Sequence, residues 1–249
     1  MRRLKIIIFL VLLFLCNSDV LFGGNKEKIT FNMSPTGYPP YMIYNENKNP
    51  SGIMYEVLKK VASKYGYEVE VAGIPRRRVN EWLDSNKLDA TPRAKEWVTN
   101  PDDYVFTEPI VVARDVIFSL IKSSVDFNNI EDLFGKRIGT HLGYKYPLLD
   151  QYFKDKKMFR DDANNEIAML KMVLFKRTDA AIINELVGLW LIKENNWQGK
   201  FSISKKDCGS VDYRIMFNKK WIPFVDKFNK ELVKMKKDGT LNNIINRYK

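Results

Sequence analysis

Apolar and polar positions fall into short blocks whose period switches repeatedly between that of a strand and that of a helix. Residues 29–33 form an apolar run of strand length. Residues 53–65 repeat their apolar positions at helical spacing, with Val57, Leu58 and Val61 on one face, and residues 67–72 alternate as a strand does. Helical spacing resumes over 78–83 and stops near Ser85 and Asn86, after which 88–91 reads as a strand cut off by Pro92. This β-α-β-α-β order predicts a parallel sheet flanked by helices.

The order then starts again. Residues 137–140 read as a strand, 147–153 as a helix, Phe159 as a short strand position, 163–175 as a helix and 179–183 as a further strand. Between the two runs, 115–121 and 213–217 are apolar and β-rich, as two strands crossing between domains would be. Amphipathic helices over 225–236 and 241–248 close the chain around the turn at Asp238 and Gly239. The organisation expected is an α/β chain of two lobes: residues 25–116 in the first, 117–213 in the second, and 214–249 returning to the first.

The amino terminus changes the picture of where this happens. Arg2, Arg3 and Lys5 precede an apolar run over 6–15, and Leu21-Phe22-Gly23-Gly24 ends on small residues, the three parts of a secretory signal peptide. The run falls short of the about 20 apolar residues that span a bilayer as a helix. Residues 1–24 are therefore expected to be cleaved near Gly23 or Gly24, leaving a soluble chain exported to the periplasm.

Composition excludes several chemistries. Beyond the leader only Cys208 remains, and His141 is the single histidine, so neither an intramolecular disulfide nor a Cys/His zinc site can form, and no cofactor or metal is implied. The formal charge is +11, from 41 basic and 30 acidic residues. Yet the lysines are dispersed and often sit beside Asp or Glu, as in Lys154-Asp155-Lys156-Lys157. That is the pattern of a solvated surface, not of a nucleic-acid stripe.

In open α/β sheets, ligands sit beyond the carboxyl ends of the strands, which gives a list of candidate ligand-binding residues. After the first strand come Tyr38 and Tyr41, held by Pro39 and Pro40, rigid aromatics suited to a stacking wall. Then come Arg78, in the run Pro75-Arg76-Arg77-Arg78, and Arg93, whose guanidinium forks suit a carboxylate. In the second run, Gly139-Thr140-His141-Leu142-Gly143-Tyr144 leads from a strand toward a helix. Its backbone amides are candidates for an anion, with His141 and Tyr144 beside them. Asn184 and Glu185 end the last strand.

Seven short segments, in order, make the chain similar to the family 3 extracellular solute-binding proteins. They are Tyr38-Pro39-Pro40-Tyr41, residues 52–56, Lys87-Leu88-Asp89-Ala90, Phe106-Thr107-Glu108-Pro109, Asp132-Leu133-Phe134-Gly135-Lys136, Thr178-Asp179-Ala180 and Lys237-Asp238-Gly239-Thr240-Leu241. The resemblance implies the two-lobed type II periplasmic binding protein fold with two hinge-crossing strands. It also implies a monomer with a ligand in the cleft, an amino acid or organic acid, handed to the membrane permease of an ABC importer. Two departures stand out. Where amino-acid receptors of this type carry a Thr-x-x-Arg segment, this chain has Trp97 and Asn100, with Arg93 upstream. Where they carry an Asp for the α-ammonium, it has Asn184. With both halves of that clamp replaced, the resemblance points to a carboxylate or other polar anion with a flat or apolar part stacked on Tyr38, Tyr41 or Trp97. Two alternatives share the fold: a periplasmic dehydratase-like enzyme using Glu185 or Glu108 as its acid, and a sensory receptor without transport.

Overall fold

The computed structural model describes residues 27–45 and 48–249; the expected signal peptide lies outside these residues. The chain begins with β1 (Lys28–Asn32), a hairpin of β2 (Ile43–Asn45) and β3 (Lys48–Ser51), helix α1 (Ile53–Lys64), β4 (Glu68–Ala72), α2 (Val79–Asp84), β5 (Ala90–Arg93), β6 (Val105–Phe106) and the long β7 (Val111–Leu120). It continues with β8 (Arg137–His141), α3 (Asp150–Lys154), β9 (Phe159–Ala163), α4 (Glu166–Leu174), β10 (Ala180–Asn184) and α5 (Glu185–Glu194). The 17-residue β11 (Phe201–Phe217), α6 (Ile222–Lys237) and α7 (Thr240–Asn246) complete it.

These strands hydrogen-bond in the order β4-β1-β5-β11-β7-β10-β8-β9, with β6 on β11. The first lobe is built on β4, β1 and β5 and the second on β10, β8 and β9. The antiparallel pair β7 and β11 runs through both, in register from Phe201 opposite Leu120 to Tyr213 opposite Val111. β11 starts well before the expected 213–217. Its apolar alternation breaks at Lys205-Lys206-Asp207, where the pairing with β7 shifts register, so the period was interrupted while the strand was not.

The two lobes are closed by the same local device. Just before β5, Asp89 accepts from the Thr30 backbone N–H on β1 at 2.8 Å, and its own N–H donates to the Thr30 carbonyl at 3.0 Å. Just before β10, Asp179 does the same for Arg137 on β8, at 2.7 and 2.9 Å. Each carboxylate fixes the register of a parallel pair at its edge. The buried Asp89 also accepts from the Trp221 indole at 2.8 Å and pairs with Lys220, docking the returning carboxyl-terminal segment on the first lobe.

Pro92 lies inside β5, contrary to the expected stop. It stands opposite Ile215, whose N–H and C=O are both taken on the other side, by the Thr107 hydroxyl and the Thr107 N–H. No ladder bond requires a donor at Pro92, and the strand passes through. Helix α4 starts at Glu166, later than expected, because Asn165 caps it by accepting from the Ala168 N–H at 2.9 Å. Among the described residues no helix is long and apolar enough to cross a membrane.

Helix α5 packs on β7 through Gly188, where a methyl group would fall inside the fully buried ring of Phe118. Gly188→Ala is therefore expected to destabilise the protein by about 1–3 kcal/mol through overpacking. Melting curves of variant and parent check this, and an unchanged midpoint would mean that α5 is free to back away from the sheet.

Candidate functional site

The cleft between the lobes is walled by aromatic rings. Tyr38 and Tyr41 stack with ring centroids 5.5 Å apart, Tyr213 meets Tyr41 edge-on at 5.1 Å, and Trp97 leans on Tyr213 at 5.7 Å. The rigid turn at Pro39 and Pro40 sets the first pair. Gly52, at φ 106°, lets the chain pass so close to the Tyr41 carbonyl that a side chain there would collide with it. Across the cleft, His141 and Tyr144 stack at 4.0 Å.

A buried hydrogen bond joins the lobes across the cleft. The Tyr41 hydroxyl donates to Asn184 Oδ1 at 2.8 Å, and both residues are buried. The same oxygen accepts from the Val187 N–H at 3.4 Å, so Asn184 also caps α5. Burial holds the Tyr41 hydroxyl protonated far above the usual phenol range, as the donor role requires.

Beneath this bond lies a recess of about 20 Å³ that brings together Tyr38, His141, Tyr144 and Asn184. That is far below the roughly 300–1,000 Å³ of most small-molecule sites, so with the lobes drawn together the recess has no room for a whole solute. Four of the eight candidates thus share one recess, and Tyr41 stands behind Tyr38 as its support. The remaining three, Arg78, Arg93 and Trp97, lie outside its lining. Trp97 is on the rim, 41% exposed. Arg93 donates to the Trp97 carbonyl at 2.8 Å, while its Nε is buried without a partner. Burial, followed by the charge of Arg76, pulls the Arg93 guanidinium down to about 10. Of the arginine run, Arg76 is the member whose charge reaches Arg93, Tyr213 and Tyr144. Arg78 is exposed at the start of α2, its N–H bonded to the Pro75 carbonyl at 2.9 Å.

The loop after β8 differs from its reading as an anion cradle. The His141 N–H donates to the Tyr146 hydroxyl at 3.0 Å, the Leu142 N–H to the Ala163 carbonyl at 2.8 Å and the Tyr144 N–H to the His141 carbonyl at 3.1 Å. These amides are committed within the lobe, and α3 begins only at Asp150, too far along the chain to offer a helix start here.

Two carboxylates that the pattern reading passed over complete the recess, Asp115 and Glu166. Asp115 sits in β7 directly opposite Asn184 of β10, and Glu166 opens α4. Burial, then the charges of Glu166 and Asp207, raise the Asp115 carboxyl to about 6. The signal available in sequence was the charged pair Arg114-Asp115 inside an otherwise apolar strand. Arg114 turns to the other side, onto Glu185 at 3.0 Å and Asp207 at 3.1 Å. Of the acids considered for catalysis, Glu185 is thereby engaged, and Glu108 is exposed beside Arg214. Burial holds the Cys208 thiol up at about 12, so it is a protonated donor to the Asp115 carbonyl.

A more open groove between α1 and α7, with Glu56, Lys59 and Arg247 on its walls, lies away from the cleft, and its Glu56 is already held by Arg247 and Tyr248.

The model of the bacterial extracellular solute-binding proteins, family 3, matches residues 29–249. The arginine-binding extracellular protein ArtP of Bacillus subtilis (strain 168) is 27% identical over 229 residues, 89% of this chain and 86% of that protein. Among solved structures, the fold resembles the L-cystine solute receptor of Neisseria gonorrhoeae in its unliganded open conformation. There the TM-score is 0.72 at 22% identity, over 90% of this chain and 93% of that one. It also resembles an ancestral cationic amino acid solute binding protein, with a TM-score of 0.74 at 17% identity, over 89% and 95%.

The raised Asp115 carboxyl has a stability consequence. Its folded value of about 6 exceeds the about 3.9 of an unfolded Asp, so the native state binds the proton more tightly. The stabilisation is full below about pH 4 and lost as pH rises through 6, leaving an ionised group that costs at most about 3 kcal/mol at pH 7.5. Asp115→Asn is expected to raise the melting temperature at pH 7.5 and to leave it nearly unchanged at pH 4. Thermal melts at the two pH values check this; equal shifts at both would show that the carboxyl is not desolvated.

Proposed function

Because the chain belongs to the bacterial extracellular solute-binding proteins of family 3, we propose that it is a receptor that captures a small carboxylate-bearing solute between its lobes and delivers it to an ABC-type permease. It acts outside the cytoplasm as a monomer, after removal of residues 1–24. The observation that carries this reading is the buried Tyr41–Asn184 hydrogen bond, which closes one lobe on the other directly over an aromatic-walled recess. A change of lobe on binding is what a permease would read, since it presents a surface that the open form lacks. The division into residues 25–116, 117–213 and 214–249 is supported by the way β7 and β11 change partners along their length.

Arg93 is the residue for the carboxylate. Its Nε is desolvated and unpaired, and a buried guanidinium donor without an acceptor is costly unless a ligand supplies one. Arg76 adds positive potential at the same mouth, and Trp97 and Tyr38 supply flat apolar contact. That ArtP is described as arginine-binding supports an amino-acid ligand.

One observation favours a second reading, a dehydratase-like enzyme: a carboxyl held near 6 inside the cleft is poised for general acid work. The two readings separate by what happens to the solute, which a receptor returns unchanged.

Small molecules released by denaturing the purified protein, identified by mass spectrometry and added back in thermal-shift titrations, test the proposal. The expected result is an unaltered solute that raises the melting temperature. Arg93→Ala is expected to weaken its binding by about 2–5 kcal/mol, thirtyfold or more, with the fold intact. A solute returned chemically changed would replace receptor by enzyme, and unchanged affinity in Arg93→Ala would remove that residue from the site.

A further inference from the structure

The lysines are dispersed along the sequence, but the excess of positive charge is not. Residues 65–218 carry 23 basic and 23 acidic side chains and no net charge. Residues 53–64 and 219–249 carry twelve basic and four acidic ones, so a net charge of +8 belongs to two stretches far apart in the chain. Folding brings them together. The first is α1, the second supplies α6 and α7, and the three helices pack on one another in the first lobe. Lys64 of α1 pairs with Glu231 of α6 at 2.7 Å, and Arg247, just past α7, pairs with Glu56 of α1. Lys227 of α6 lies 5.6 Å from the ring centre of Tyr65, at the end of α1.

All twelve basic residues are exposed. On α6, Lys227, Lys230, Lys234 and Lys237 follow one another at spacings of three and four, which sets them in one outward stripe away from the buried Phe224, Phe228, Leu232 and Met235. Val233, 60% exposed, and Ile222, three turns earlier, border the stripe with bare apolar surface. Lys59, Lys60 and Arg247 continue the face across the groove between α1 and α7. Of the four acids, Glu56 and Glu231 are taken up by the pairs above, and Asp238 accepts from the Thr240 N–H at 2.9 Å. Asp226 is left as the one acid not so engaged. Like charges gathered on one face repel one another, and an external anionic surface relieves that repulsion.

The residue types say what kind of surface. Eleven of the twelve are lysines, flexible point charges without the planar fork that holds a carboxylate in fixed geometry. Flexible cations beside exposed aliphatic side chains suit a fluid sheet of anionic headgroups with an apolar layer just beneath it, better than the fixed carboxylates of a folded partner. No residue lining the interlobe recess belongs to α1, α6 or α7, so covering this face leaves the recess untouched.

We propose that the face formed by α1, α6 and α7 docks the exported protein on the surface of an anionic phospholipid membrane. Lys227, Lys230, Lys234 and Lys237 supply the attraction, and Val233 the apolar contact. This holds whatever the cleft binds, since the two sites share no residue.

Co-sedimentation with vesicles tests this, using the chain without residues 1–24, which contains every described residue. At pH 7.5 and about 0.1 M salt it is expected to bind phosphatidylcholine vesicles containing about one-third phosphatidylglycerol at least about tenfold more tightly than vesicles of phosphatidylcholine alone. Release is expected at about 1 M salt, where the screening length has fallen from about 10 to about 3 Å. The variant Lys227→Gln, Lys230→Gln, Lys234→Gln, Lys237→Gln is expected to bind the anionic vesicles about tenfold more weakly or worse, with its melting temperature near the parent's. A matched variant, Lys122→Gln, Lys154→Gln, Lys171→Gln, Lys200→Gln, removes the same charge from exposed positions on the second lobe and is expected to stay within about twofold of the parent. Equal losses in the two variants would show that net charge acts and not this face. No binding to anionic vesicles, or equal binding to neutral ones, would overturn the proposal. Binding to polyglutamate without binding to vesicles would make the partner an acidic protein and overturn the lipid assignment.

Discussion

Two strands, β7 and β11, belong to both lobes, and the rest of the main sheet is attached, directly or through a neighbouring strand, to one stretch or another of that pair. Their carboxyl- and amino-terminal ends carry β10 and the second lobe, and the other ends of the same strands carry β5, β6 and the first. An antiparallel pair of this length has to twist and bend to serve two sheets, and the register shifts around Asp207 supply the bend. Arg114 pins the bend by bonding Asp207, Glu185 and the Lys205 carbonyl at once, tying the irregular stretch of β11 to the start of α5. A side chain one residue along, Asp115, points to the opposite face of the strand and is thereby delivered into the cleft. The geometry of the recess is thus a by-product of how the lobes are joined.

Charge is partitioned across this frame. The mouth, on the first lobe, is basic through Arg93 and Arg76, and the recess, on the second, is acidic through Asp115 and Glu166. Between them runs a neutral layer of tyrosines whose hydroxyls burial keeps protonated, Tyr38, Tyr41 and Tyr213. A dipolar molecule lying across that layer matches the field from end to end, whereas a uniformly charged one matches only half of it.

Most of the fold was legible because its elements are regular. α1 and β4 were recovered within a residue or two of their bounds, since their periods run uninterrupted. Where the reading failed, a non-local contact had overridden a local rule. Pro92 reads locally as a stop, yet the partner that spares it, Ile215, lies far along the chain, and the loop after β8 reads as free, yet the acceptor of the Leu142 amide is Ala163 on the next strand. The site was half legible for the same reason. Tyr38, His141, Tyr144 and Asn184 sit at strand ends, where topology says to look, but Asp115 lies in the body of a strand and Glu166 on the first turn of a helix. Their meeting depends on the register of β7 against β10 and on the docking of α4, which no short window of sequence contains.

The Tyr41–Asn184 bond sets a floor under the molecule's resting behaviour. Each lobe offers the other a partner for a polar group that burial would otherwise leave stranded, so this contact of the shut form does not depend on a solute, although the Arg93 Nε still lacks an acceptor. A solute can shift the balance only by the difference in its affinity for the shut and open forms. To the extent that this latch populates the shut form at rest, less change of population is left for the solute to make. A fastened latch of this kind trades contrast for readiness: against a background of shut molecules, occupancy would register as a change in level and not as the appearance of a new shape.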